Sequence, residues 1–130
     1  MSALRALIVD DNLLIRDIVD RTLKSRGFET VQAVDAEAGI KCVEGRAMPH
    51  LAVIDVMLPG KIDGVGLCQF LRSRPDGKDA VIVMITASDK RKEADRSLSA
   101  GADILIGKPF SPRQFWIQVD SLLKDRRLRT

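Results

Sequence analysis

The order of residues predicts an α/β fold: an open, doubly wound parallel sheet of (βα)5 type. Apolar runs of strand length alternate five times with amphipathic stretches of helix length. Several of the runs, ALIV, LAVI and VIVMI, are apolar without alternation, as parallel strands covered by helices on both faces are. Length excludes the closed alternative, because an eight-stranded barrel needs about 250 residues and this chain has 130.

The first strand is read from Ala3 to Val9. Asn12 then opens a helix whose stripe is Ile15, Ile18, Val19, Thr22 and Leu23, and Gly27 stops it as a C-terminal cap does. Glu29 to Val34 is the second strand, followed by a helix capped by Asp35 with Ile40 and Val43 inward. The third strand, Leu51 to Ile54, leads through the Asp63-Gly64 turn to a helix carrying Leu67, Phe70 and Leu71. After the fourth strand, Ala80 to Ile85, Ala94 and Leu98 mark the apolar stripe of a helix that runs to Gly101. Asp103 to Ile106 is the fifth strand. The last helix has the clearest start: Ser111-Pro112-Arg113-Gln114 combines an N-cap, a proline at the first helical position and a capping-box Gln. Its buried face is expected to be Phe115, Val119 and Leu122.

Composition narrows the function. At 45% hydrophobic and 30% charged residues, the chain can bury one core without staples. No run approaches the ~18 apolar residues of a membrane span, and the N-terminal apolar segment is too short and too soon acidic for a signal peptide. The expectation is a cytoplasmic protein with no membrane contact. Cys42 and Cys68 stand far apart without a CxxC, so both are expected to be reduced thiols rather than zinc ligands or a disulfide. His50, the only histidine, reads as a loop residue rather than a catalyst. The net charge of +3 sits largely in Lys124, Arg126, Arg127 and Arg129, where it complements a helix terminus and keeps a tail solvated. With no Tyr, one Trp and no helix-turn-helix or zinc pattern, direct nucleic-acid binding is not expected.

In doubly wound sheets ligands sit outside the carboxyl ends of the strands. Those positions carry Asp10 and Asp11 after the first strand, Asp55 after the third, Thr86 after the fourth, and Lys108-Pro109 after the fifth. Parallel strands would gather three carboxylates, a hydroxyl and an ammonium in one shallow pocket. Carboxylates that close repel one another unless a cation neutralises them, and Mg²⁺ suits an open site with few protein ligands. Asp55 could then attack a phosphorus in line, with Lys108 and Thr86 serving the equatorial oxygens where charge spreads. The product is an aspartyl phosphate. Each residue singly has a bland role: Asp11 or Asn12 as a cap, Thr86 as a loop start, Lys108-Pro109 as a turn. Jointly those roles fail, because capping requires neither a carboxylate ending the third strand nor a lysine after the fifth.

On LIVDDN, VIDVMLPG with its following DG, MITAS and GKPF, the chain from about Leu4 to Leu123 resembles the receiver domain family of response regulators. The resemblance implies a flavodoxin-like sheet with strand order 2-1-3-4-5, and a domain over 1–124 with 125–130 as a basic tail or linker start. It implies Asp11 as a direct Mg²⁺ ligand, Asp10 as a ligand mainly through water, and Asp55 as both ligand and phosphoacceptor. The backbone carbonyl of Met57 would complete the metal site, and the Lys108-Pro109 peptide would be cis. The implied partners are a histidine kinase or histidine phosphotransfer protein and a downstream protein target, bound through the face of the fourth helix, fifth strand and fifth helix. Such a domain is not an enzyme beyond its own phosphorylation and dephosphorylation. An aspartate-based phosphatase is the alternative from another class, but it would place a second aspartate where Met57 stands.

The chain departs from the family pattern in two places. VMLPGKIDG carries one extra residue between Pro59 and Asp63, which lengthens the loop over the site. Leu105 stands where relatives carry Tyr or Phe, so no ring can report the switch there. Met57 and Ser88 flank the approach of a hydrolytic water, and Met57 offers no group to orient one. Trp116, at the edge of the last helical stripe, reads as half-buried packing or as a partner anchor.

Overall fold

The structure is a computed structural model that describes residues 3–87 and 90–126. Its elements run β1 (Arg5–Val9), α1 (Leu13–Lys24), β2 (Glu29–Ala33), α2 (Ala36–Val43), β3 (Leu51–Asp55), α3 (Gly64–Ser73), β4 (Val81–Thr86), α4 (Lys90–Ser99), β5 (Ile104–Gly107) and α5 (Pro112–Asp125). The strands form one parallel sheet in the order β2-β1-β3-β4-β5. The expected fold class and strand order are both present. The order reverses between β1 and β3, so their carboxyl ends open the crevice in which such sheets hold ligands.

Alternate strand residues feed two apolar layers. Leu7, Val9, Ile54, Met84 and Leu105 face one way, against Val43 of α2 and Leu67 and Leu71 of α3. Ile8, Val53, Val83, Ile85 and Ile106 face the other, against Val19 and Leu23 of α1 and Phe115, Val119 and Leu123 of α5. Because β3 and β4 are buried at every residue, they form the stiff centre on which the site is built. β2 is an edge strand and mostly exposed.

The local start signals act as their chemistry predicts. Asn12, Asp35 and Asp63 each accept a backbone N–H from the first turn of α1, α2 and α3. Ser111 and Gln114 form the full capping box of α5. Gly27, at φ +89°, turns the chain out of α1.

Three expectations need correction. In α4 Glu93 and Ser97 are buried and Ala94 packs at the core's margin as expected, whereas Leu98, expected inside, is 52% exposed. A mixed sequence such as KRKEADRSLS leaves the stripe undecided by polarity, and packing chose the other flank. In α5 Leu123 rather than Leu122 is fully buried, with Leu122 packed at the core's margin. Arg126, read as part of a solvated tail, bonds to Asp103 at the start of β5. Arg127 and Arg129 lie outside the described residues.

His50 is a structural loop residue: its Nδ1 accepts the backbone N–H of Arg5 at 2.9 Å. Both cysteines are free, and burial pushes the Cys68 thiol up to about 11.

Candidate functional site

Asp10 follows β1, Asp55 ends β3, Thr86 ends β4 and Lys108 follows β5, so adjacent parallel strands deliver all four side chains to one end of the sheet. Asp10, Asp55 and Thr86 are buried, while Asp11 is exposed at the mouth. Carboxylate oxygens of Asp10, Asp11 and Asp55 lie within 4.8 Å of one another.

Lys108 is the counter-charge. Its Nζ donates to Asp55 Oδ2 at 2.9 Å and stands 3.2 Å from Asp10 Oδ2. The second approach misses hydrogen-bonding geometry, because Asp10 Oδ2 is a buried oxygen without a hydrogen-bond partner. Asp10 Oδ1 accepts from the backbone of Asn12 at 2.8 Å, and Asp55 Oδ1 from that of Met57 at 2.9 Å. Burial pushes the Asp10 carboxyl up, the Asn12 N–H opposes this, and the charge of Asp55 adds to the rise. Burial alone would lower the Lys108 ammonium, but its hydrogen bond to Asp55 and the two carboxylate charges hold it above its ordinary value.

One ammonium against three clustered carboxylates leaves the pocket short of positive charge, and Asp10 Oδ2 has the shared Lys108 ion pair but no hydrogen bond of its own. The donor set is all oxygen and partly open, which fits a hard divalent cation such as Mg²⁺ held by few protein ligands. Asp10, Asp11 and Asp55 could hold it. Met57 lies beside the site, its side chain 61% exposed. Ser88 lies outside the described residues.

Local geometry fixes the frame. The Lys108-Pro109 peptide is cis, as expected, and the Lys108 N–H donates to Thr86 O at 2.7 Å. Gly64 packs so closely that a Cβ there would lie 1.9 Å from Asp55 O. The first residue of α3 must therefore lack a side chain for the backbone of Asp55 to pass. The lengthened loop turns at Gly60 with φ +99°, and Glu37 of α2 accepts the Ile62 N–H at 3.3 Å. Leu105 is 4% exposed and already packed in the core.

Several contributors escaped the sequence reading. Leu13 and Leu14, in the first turn of α1, are exposed apolar residues directly after the acidic pair. Their break with the inward stripe was the available signal. Asp63 accepts from Arg96 of α4 at 2.8 Å, a contact between side chains 33 residues apart for which no local pattern exists. Trp116 is half-buried, edge-on to Phe28 with ring centroids 6.4 Å apart, and carries the Arg26 guanidinium 5.0 Å from its ring centre.

A family model described as the response regulator receiver domain matches residues 6–120. The transcriptional regulatory protein GltR of Pseudomonas aeruginosa is 39% identical over 120 residues, which cover 91% of this chain and 48% of that protein. The chain spans about half the length of the curated relatives it matches. Among solved structures, a CheY-like response regulator receiver domain protein from Methanospirillum hungatei superposes with a TM-score of 0.86 at 30% identity, covering 97% of this chain and 98% of that one. The signal receiver domain of a signal transduction histidine kinase from Syntrophus aciditrophicus gives a TM-score of 0.82 at 27% identity, covering 95% and 92%.

Proposed function

The chain belongs to the response regulator receiver domain family, and on that premise we propose that Asp55 accepts a phosphoryl group from the phosphohistidine of a histidine kinase or histidine phosphotransfer protein, with Mg²⁺ as cofactor. As a receiver domain it is a signalling domain of a two-component system. The observation that carries the finer reading is the convergence of Asp10 and Asp55 on the single ammonium of Lys108, at 3.2 and 2.9 Å, beside the exposed Asp11.

In the transfer, a carboxylate oxygen of Asp55 bonds to phosphorus as the phosphorus–nitrogen bond of the donor breaks. The imidazole leaves with the bonding pair and takes a proton from solvent. Asp10, Asp11, Asp55 and the Met57 carbonyl would hold Mg²⁺, which would supply positive charge to the phosphoryl oxygens. Lys108 begins on Asp55 Oδ2, close enough to follow the developing charge onto a phosphoryl oxygen without crossing the pocket. Thr86, at the adjacent strand end, offers its hydroxyl to the same group. Such positioning and charge compensation are most of what phosphoryl transfer asks of a protein.

The donor must reach the mouth of the pocket. Leu13, Leu14 and Met57 present exposed apolar surface around it, which suits a protein donor. Output passes to a protein target through the face of α4, β5 and α5. Direct nucleic-acid contact is not part of this reading.

The test is intact mass after incubation with acetyl phosphate and Mg²⁺. Wild type gains one phosphoryl group, and Asp55→Asn gains none. Labelling of the Asn variant at the wild-type level would overturn the assignment.

A further inference from the structure

The helix α4 is packed against the logic of its own sequence. Its inward stripe carries a carboxylate, Glu93, and a hydroxyl, Ser97, whose Oγ is buried without a hydrogen-bond partner, while Leu98 lies 52% exposed. Such a face is costly, because a buried polar group without a partner forfeits its hydration. Something must hold the helix in this register.

Arg96 supplies the hold. Its Nη1 donates to the buried Glu93 Oε2 at 2.9 Å, and its Nη2 donates to Asp63 Oδ2 at 2.8 Å. Asp63 meanwhile caps α3 through Oδ1, which accepts the Gly66 N–H at 2.8 Å. Gly64, the next residue, lies against the backbone of Asp55 with no room for a Cβ. A continuous path therefore runs from the backbone of Asp55 through Gly64 and Asp63 to Arg96 and Glu93.

Helical geometry makes this path a switch. At 3.6 residues per turn, positions 96 and 98 stand about 200° apart around the axis, on opposite flanks of the buried stripe. A rotation that brings Leu98 inward must carry Arg96, and Glu93 with it, away from Asp63 toward solvent. The Asp63–Arg96 ion pair and the burial of Leu98 exclude each other.

We propose that the Asp63–Arg96–Glu93 bridge latches α4 in its polar register, and that displacement of the β3–α3 loop on phosphorylation releases the latch, so that α4 turns by about one residue and buries Leu98. Asp63 and Arg96 are positioning residues here. They link the phosphoacceptor loop to the partner face without a moving side chain at position 105, which the buried Leu105 does not provide. The inference rests on Asp55 as the phosphoacceptor.

The experiment reads the accessibility of position 98 by thiol labelling in Cys42→Ser/Leu98→Cys protein, in which the remaining Cys68 is buried and silent. Adding Mg²⁺ and beryllofluoride, a phosphoryl mimic, slows labelling several-fold. Adding Asp63→Asn, which keeps a capping oxygen but removes the charge, slows it without any mimic, and so does adding Arg96→Met. The two changes combined slow it no further than either alone, because they break one latch. Labelling that is unchanged or faster in the charge variants overturns the proposal, since a helix that merely loosens exposes its thiol. Intact mass with acetyl phosphate is run in parallel. Absence of the phosphoryl adduct would fail the reading of Asp55, while a normal adduct with unprotected position 98 would fail the latch alone.

Discussion

Asp10 and Asp103 are both aspartates at strand termini, at opposite ends of the same sheet, and they are treated in opposite ways. Asp103 uses every oxygen: Oδ2 accepts from Arg72 at 2.9 Å and from the Ile82 N–H at 2.8 Å, while Oδ1 accepts from Arg126. Arg72 is equally engaged, donating also to the carbonyls of Gly101, Gly77 and Ala80 at 2.7 to 2.8 Å. Asp10 has one oxygen without a hydrogen bond and shares a single ammonium with Asp55. One end is closed and holds the loops between elements together. The other is left short of positive charge, and that deficit is what gives it affinity for a cation and a phosphoryl group.

Substitution should expose this contrast most strongly in stability. Asp103→Ala leaves Arg72 and Arg126 without their carboxylate, and removing one partner from a largely buried ion pair costs about 3–5 kcal/mol. Asp10→Asn keeps the acceptor for the Asn12 N–H and removes a charge that burial and Asp55 disfavour. Without Mg²⁺ it is expected to unfold at higher urea than wild type. Urea melts of both variants check the pair; equal destabilisation would mean that the acidic end is as well compensated as the other.

The cation effect should be confined to one end. At a hundredfold excess over its dissociation constant, a ligand of the folded state adds about 2.7 kcal/mol, so Mg²⁺ should raise the melting temperature of wild type and of an Asp103→Asn variant alike. Asp11→Ala is expected to lose more Mg²⁺ affinity than Asp10→Ala, by calorimetric titration, because a direct ligand matters more than one acting through water. Equal losses would contradict that division.

A smaller effect belongs to the frame. Gly64→Ala forces a methyl into the backbone of Asp55, and overpacking of this kind costs about 1–3 kcal/mol. Because the strain falls on the phosphoacceptor, labelling by acetyl phosphate should slow as well. Gly45→Ala, which meets nothing within 4 Å but sits at φ +70°, separates backbone strain from crowding and should leave labelling unchanged.

What could be read from the sequence follows the range of the interactions. Strand-end positions were legible because apolar runs of fixed length mark each strand, and once the strands are parallel the residues after them must converge. Caps were legible because Asn12, Asp35 and Ser111 act on N–H groups three residues away. The α4 stripe was not, since the buried Glu93 pairs with Arg96, and Arg96 pairs in turn with Asp63 at the start of another helix, 33 residues away. Arg126 was missed for the same reason, its partner Asp103 lying 23 residues away. The convergence of Asp10, Asp55 and Lys108 was expected, but the orphaned oxygen was not, because satisfaction depends on angles that spacing does not encode.

The smallest effect concerns the closed end again. His50, the only histidine, accepts the Arg5 N–H through Nδ1, so its folded form is neutral at that nitrogen. Burial, and secondarily the charge of Arg5, holds its imidazolium below the ordinary value of 6.5. The unfolded chain then binds a proton that the folded chain refuses, and stability falls as pH drops from about 6.5 toward the lower folded pKa. His50→Asn keeps an acceptor for Arg5 and cannot titrate, so its stability should stay level across that window while that of wild type declines. Urea midpoints from pH 7.5 to pH 5 read the difference directly. Parallel decline in both proteins would move the proton to another group and place the pH-sensitive element away from the loop between α2 and β3.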